Sequence, residues 1–150
     1  MFLIAIKETA LKTTRLNQKG SVVLEAMISI LIFSIGILAI IGLQAASIKS
    51  AAGAKYRTDA SLLANQVIGQ MWIADKTNAT LVANFSSPAG AGYTAWANTV
   101  AQTLPGVAGV PANAPTVVID ANNMATITLF WQAPNEGASH TYTTIAVVNN

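Results

Sequence analysis

One stretch dominates what this 150-residue chain can become: Ser21 to Leu43, about 23 residues with a single ionisable side chain, Glu25. A helix of that length, rising roughly 1.5 Å per residue, crosses a bilayer core. Lys7, Lys12, Arg15 and Lys19 precede it, against Glu8 alone, and supply half of the Lys and Arg in the chain. Basic residues stay on the cytoplasmic side, so the chain after Leu43 is expected outside. A cleaved secretory signal is the competing reading, with small residues at Ala52-Gly53-Ala54 as the cut. It fits poorly: an ordinary signal has an apolar region of about 7–15 residues, and a glutamate near its start is out of place.

Charge narrows the function classes. Only 9% of residues are charged, where a soluble domain carries roughly a quarter. Beyond Gly20, Lys49, Lys55, Arg57 and Lys76 stand against Glu25, Asp59, Asp75, Asp120 and Glu136. No cluster of cations there suits phosphate neutralisation, so nucleic acid is not an expected partner. The absence of cysteine removes disulfides and thiolate metal sites. His140 is the only histidine and is expected on the surface, at the start of a strand. The glycines form neither a phosphate-binding loop nor a dinucleotide fingerprint. No catalytic residue, metal site or cofactor is expected. Asn78-Ala79-Thr80 and Asn84-Phe85-Ser86 match the glycosylation sequon, a motif short enough to arise by chance.

Glu25 is the residue that calls for a role. A carboxylate at the centre of a membrane helix costs about 2.5–3.5 kcal/mol on insertion scales, and such groups usually have a partner or a task. Near the interface it would simply be hydrated. Cleavage after Gly20 gives a sharper reading. Glu25 becomes the fifth residue of the mature chain, about 6 Å along the helix from a new α-amine. The amine of a neighbouring, staggered helix could reach it. Breaking such a pair leaves an uncompensated buried charge, so the pair would fix the stagger between subunits.

Lys19-Gly20 followed by Ser21-Val22-Val23-Leu24-Glu25 resembles the type III signal of type IV pilins and type II secretion pseudopilins. The resemblance implies that a prepilin peptidase cuts after Gly20, that Ser21 becomes the N-methylated N-terminus, and that Glu25 supports assembly. The family often begins Phe-Thr-Leu-Ile-Glu; here Ser21 replaces the Phe, and Val22-Val23-Leu24 keeps the run apolar. Ser34-Ile35-Gly36-Ile37-Leu38-Ala39, running to Ile41-Gly42-Leu43-Gln44, is similar to the membrane helix of PilV-type minor pilins. The resemblance extends more loosely to a Trp96-centred helix, Leu104-Pro105-Gly106 and a strand ending in Trp131. Minor pseudopilins share this kind of N-terminus and remain the alternative. Implied partners are prepilin peptidase, other minor pilins and pilin subunits through the N-terminal helix. The implied location is the inner membrane, single-pass with the N-terminus cytoplasmic, and then the pilus.

Beyond Leu43, Tyr56, Ala60, Leu63, Val67 and Met71 recur every three or four residues, one apolar stripe of an amphipathic helix. No proline interrupts Ser21 to Lys76, so a single helix is expected, half in the membrane and half on a domain. Gly36 and Gly42 each weaken it by about 1 kcal/mol relative to Ala; Gly42 is read either as a point of flexing or as a site of close helix packing. Asn78 to Gly92 reads mostly as loop, from Ser86-Ser87-Pro88 and Gly90-Ala91-Gly92. Tyr93, Trp96, Val100 and Leu104 mark a short amphipathic helix ended by Pro105-Gly106. Gly106 to Pro115 reads as loop. Strands are expected over Thr116–Asp120, Met124–Gln132 and His140–Val148, linked by a turn at Asn122-Asn123 and a loop at Pro134–Gly137. Trp96 and Trp131 are expected in the core; Trp72 is left open. Asp59 and Asp75 read as solvated charges. The expected organisation is a leader over 1–20, a transmembrane half-helix over 21–43 and an outer domain over 44–150. Its fold class is α+β and pilin-like, a long N-terminal helix packed on a small antiparallel sheet.

Overall fold

The computed structural model describes residues 19–149. The expected leader, apart from its last two residues, lies outside the described residues. The chain divides into two units after Ala45.

Helix α1 runs over Lys19–Ile73 without interruption. In the first unit, every side chain from Gly20 to Ala45 is exposed. The large apolar ones range from 43% at Ile37 to 72% at Leu43. Nothing among the described residues covers them. This helix is long and apolar enough to cross a membrane.

The second unit is built on the remainder of α1. It adds α2 (Asn78–Phe85), α3 (Ala91–Thr103), a 3-10 turn (Pro111–Asn113) and the strands β1 (Thr116–Ile119), β2 (Met124–Trp131) and β3 (His140–Val147). The strands form an antiparallel meander in the order β1-β2-β3. Thr128 lies opposite Thr116 on one side and Thr143 on the other. Alternation along β2 turns Ala125, Ile127, Leu129 and Trp131 inward, as a strand buried on one face requires. They meet Ala60, Leu63, Ala64, Val67 and Met71 of α1, with Trp96 and Val100 of α3, in one core. Tyr56, the first residue of the expected stripe, packs on it half-buried. The structure is thus the expected α+β arrangement, with the amphipathic part of a long helix covered by a small antiparallel sheet.

Polar bonds add to the apolar contacts that hold the second unit together. The Trp96 indole N–H donates to the Leu63 carbonyl at 2.8 Å, joining α3 to α1. The Tyr93 hydroxyl donates to the Pro115 carbonyl at 2.7 Å. The Asn78 side-chain amide donates to the Asp120 carbonyl and to Asn123 Oδ1, while Asn123 donates to the Lys76 carbonyl. These bonds clasp the β1–β2 turn to the α1–α2 junction. Among the described residues no buried side-chain polar atom lacks a partner.

Two departures from the sequence reading stand out. Asn78–Gly92 is not mostly loop, because Asn78–Phe85 forms α2 and α3 begins at Ala91. Two anchors one turn apart, Leu81 and Phe85, hold α2 on the core. The turn signals at Ser86-Ser87-Pro88 and Gly90 mark only where α2 ends. Gly90 is fixed there by space, since a Cβ at this position would come within 2.3 Å of the Asn84 carbonyl oxygen. Asn113 is a buried polar residue that nothing in the sequence singles out; its amide donates to the Gly106 carbonyl at 2.7 Å. The break after α3 follows the expectation, with Gly106 at φ +70°.

Candidate functional site

Gly20, Ser21 and Glu25 all lie on the first turns of α1, and all three are exposed. A Cβ at Gly20 would meet nothing within 4 Å. Glu25 follows Ser21 by about one helical turn. Among the described residues it forms no ion pair. Its nearest neighbours on that face of the helix are Val22 and Ile28, with Ser21 and Ser29 one turn away on either side. One carboxylate set in an apolar, outward-facing surface can do one thing well: in a low-dielectric setting it can accept an ammonium supplied from outside the chain. Gly36 and Gly42 are likewise open, with nothing near a Cβ.

The second unit holds a different polar centre. Glu136, on the β2–β3 connection, receives Lys49 Nζ at 3.2 Å on one oxygen and His140 Nε2 at 2.6 Å on the other. The Gln132 amide donates to the Glu136 carbonyl at 2.6 Å. His140 also stacks on Trp131, with centroids 5.6 Å apart. The His140 bond first, then Lys49, holds the Glu136 carboxyl below the usual carboxylate range. The arrangement ties the β2–β3 connection to α1 at Lys49. Sequence reading counted Lys49 and Glu136 only among the scattered opposite charges and did not foresee this pair, which joins residues far apart in the chain. Burial raises the Tyr93 hydroxyl above its ordinary value, and that hydroxyl donates to the Pro115 carbonyl.

The remaining singled-out residues have simple settings. His140 is exposed at the start of β3, as expected. Trp96 and Trp131 are buried at 1% and 2%, whereas Trp72 is 45% exposed with Lys76 Nζ 5.0 Å above its ring. Asp59 is 3.9 Å from Lys55, and Asp75 accepts the Thr77 N–H at 2.9 Å. Of the two sequons, Asn78 has its amide nitrogen engaged in two bonds. A shallow groove of about 450 Å3 runs between α1 and β3, lined by Arg57, Thr58, Ser61, Leu62, Asn65 and Tyr142.

Among the described residues no group of His, Cys, Asp or Glu is placed to hold a metal ion. Comparison with protein-family models, curated proteins and solved structures finds no match to this chain.

Proposed function

We propose that this chain is a structural subunit of the type IV pilin kind, a minor pilin that enters a pilus or its initiating complex through α1. The carrying observation is the contrast along that helix. Its first part offers an exposed, mostly apolar surface with one carboxylate, and its second part buries one stripe in its own domain. A subunit whose helix is covered only by its neighbours has this pattern. Prepilin peptidase would cut between Gly20 and Ser21, and methylation would follow at Ser21. Before assembly the chain would sit in the inner membrane, N-terminus inside and the second unit in the periplasm. In the fibre, apolar helices pack side by side, and Glu25 of one subunit takes the α-ammonium of a neighbour. Dispersion between helices holds the bundle, while the ion pair selects the stagger, since any other register leaves a charge alone in hydrocarbon.

Two measurements test this reading. Mass spectrometry of the membrane-extracted protein should find a chain that begins at N-methylated Ser21; a chain that begins at Met1 would sink the proposal. Glu25→Ala should leave cleavage intact and lower recovery in sheared surface fibres by at least about tenfold. Cleaved protein found only in a type II secretion pseudopilus would replace the pilus with that assembly.

A further inference from the structure

The sheet has two edges, and the chain treats them differently. β1 is four residues long and starts directly after Pro115. Its outer side is occupied: Ser87 N–H donates to the Val117 carbonyl at 3.0 Å, and the Ser87 hydroxyl lies within 3.3 Å of Val117 N. β3 is eight residues long, with no proline, lysine or arginine, the usual devices that blunt an edge strand. In an antiparallel ladder the N–H and C=O of one residue point to the same side, and successive residues alternate. Val148 N–H donates to the Asn123 carbonyl, which sets the phase. His140, Tyr142, Thr144 and Ala146 therefore face β2. Thr141, Thr143, Ile145 and Val147 turn their backbone groups outward. Among the described residues, none of these outward groups meets a partner beyond the sheet. Ile145 is 59% and Val147 50% exposed.

Beside this edge the helix is left uncovered. The groove between α1 and β3 lies next to Tyr142, and Leu62 on its wall is 68% exposed. The sheet stops one strand short of covering α1.

We propose that β3 pairs, antiparallel, with β3 of a second copy of this chain, Thr144 facing Thr144 across a two-fold axis. In that register Thr141 lies opposite Val147 of the second copy, and Thr143 opposite its Ile145. All four outward N–H and all four outward C=O groups then find partners; a shift of two residues leaves some unpaired. The facing side chains are β-branched pairs, which suit cross-strand contact. No charge opposes a like charge, because residues 141–149 contain no Asp, Glu, Lys, Arg or His, and His140 falls opposite Val148. The added strand continues the sheet past Tyr142 over the groove, with the small Ala146 of the second copy beside that ring. An edge seam buries less than the roughly 1,200 Å2 of a stable interface. The dimer is therefore weak in dilution. The pairing needs only the described strands, so it and the pilin reading fail separately.

The test uses the full chain in detergent micelles. The sequence has no cysteine, so each introduced thiol is unique. Thr144→Cys places two Cα atoms about 4.5 Å apart across the axis, within disulfide reach, and should form a covalent dimer under mild oxidation. Thr143→Cys mixed with Ile145→Cys should cross-link, and neither should do so alone. Ile145→Lys alters an exposed side chain and should move the dimer–monomer midpoint to at least about tenfold higher concentration, while Ile145→Val should not. Folded Thr144→Cys that stays monomeric would overturn the proposal. So would Thr143→Cys cross-linking to itself as readily as to Ile145→Cys. Association untouched by Ile145→Lys would assign it to the apolar helix and not to β3.

Discussion

Two lengths of one helix meet opposite fates. From Gly20 to Ala45 every side chain of α1 is exposed. From Ala60 to Met71, five side chains are buried to 5% exposure or less: Ala60, Leu63, Ala64, Val67 and Met71. The first length is apolar all round, and the second only along one stripe. A helix apolar on nearly every face must be surrounded, and the described residues supply nothing to surround it. A striped helix needs one cover, and the sheet with α3 supplies it. The difference teaches that the amount of apolar surface does not decide which length belongs to the folded unit. Its distribution around the helix does.

That comparison can be broken most forcefully at Trp96. Trp96→Ala removes a buried indole and its bond to the Leu63 carbonyl, and should cost the second unit about 3–5 kcal/mol, read as a loss in thermal unfolding of the protein in micelles. An unchanged transition would mean that α3 does not hold the striped length of α1. The sharpest contrast pairs two leucines of the same helix. Leu63→Ala should cost about 2–5 kcal/mol, and Leu38→Ala, 71% exposed, less than about 0.5 kcal/mol in the same transition. Equal effects would erase the distinction between the two lengths.

How much of this was legible follows from the same distinction. The stripe at Tyr56, Ala60, Leu63, Val67 and Met71 repeats often enough to be read without a structure. The four anchors of α3 and the alternation of Ile127, Leu129 and Trp131 are read in the same way. α2 was hidden because it presents only Leu81 and Phe85, one turn apart, beside strong turn signals. The Lys49–Glu136 pair was hidden because charge attraction between distant residues leaves no periodic trace. Gly20, Ser21 and Glu25 are recognised as a sequence pattern; their exposure on α1 fits that pattern, and the proposed processing and methylation rest on the experiments above.

Smaller effects refine the cover itself. Gly106 sits at φ +70°, and a Cβ there would meet the Gln132 backbone oxygen at 2.9 Å. Gly106→Ala should cost about 1–2 kcal/mol from the left-handed conformation, measured by denaturant unfolding, with the helical content of the first length untouched. The smallest change is expected at Glu136. Its carboxyl is held below the ordinary 4.5 by His140 and then Lys49. A carboxyl lowered in the folded state stabilises above its unfolded value, and that contribution disappears as pH falls through the folded one. The melting temperature of the parent protein should therefore exceed that of Glu136→Gln near neutrality, and the gap should close as pH falls through the lowered folded-state value. A gap that widens in acid would remove the ion pair from the account of how Lys49 is tied to the sheet.

The three tryptophans form a built-in optical gauge. Trp96 and Trp131 are sealed, whereas Trp72 is 45% exposed at the end of α1. A collisional quencher such as acrylamide meets one indole of three in the folded protein, giving a downward-curving quenching plot, and reaches all three once the second unit opens. Emission at short wavelength then reports the state of the sheet and α3 while the apolar length of α1, which contains no tryptophan, stays dark. Folding of the outer unit can therefore be followed in lipid without any added dye and without a tryptophan signal from the apolar length.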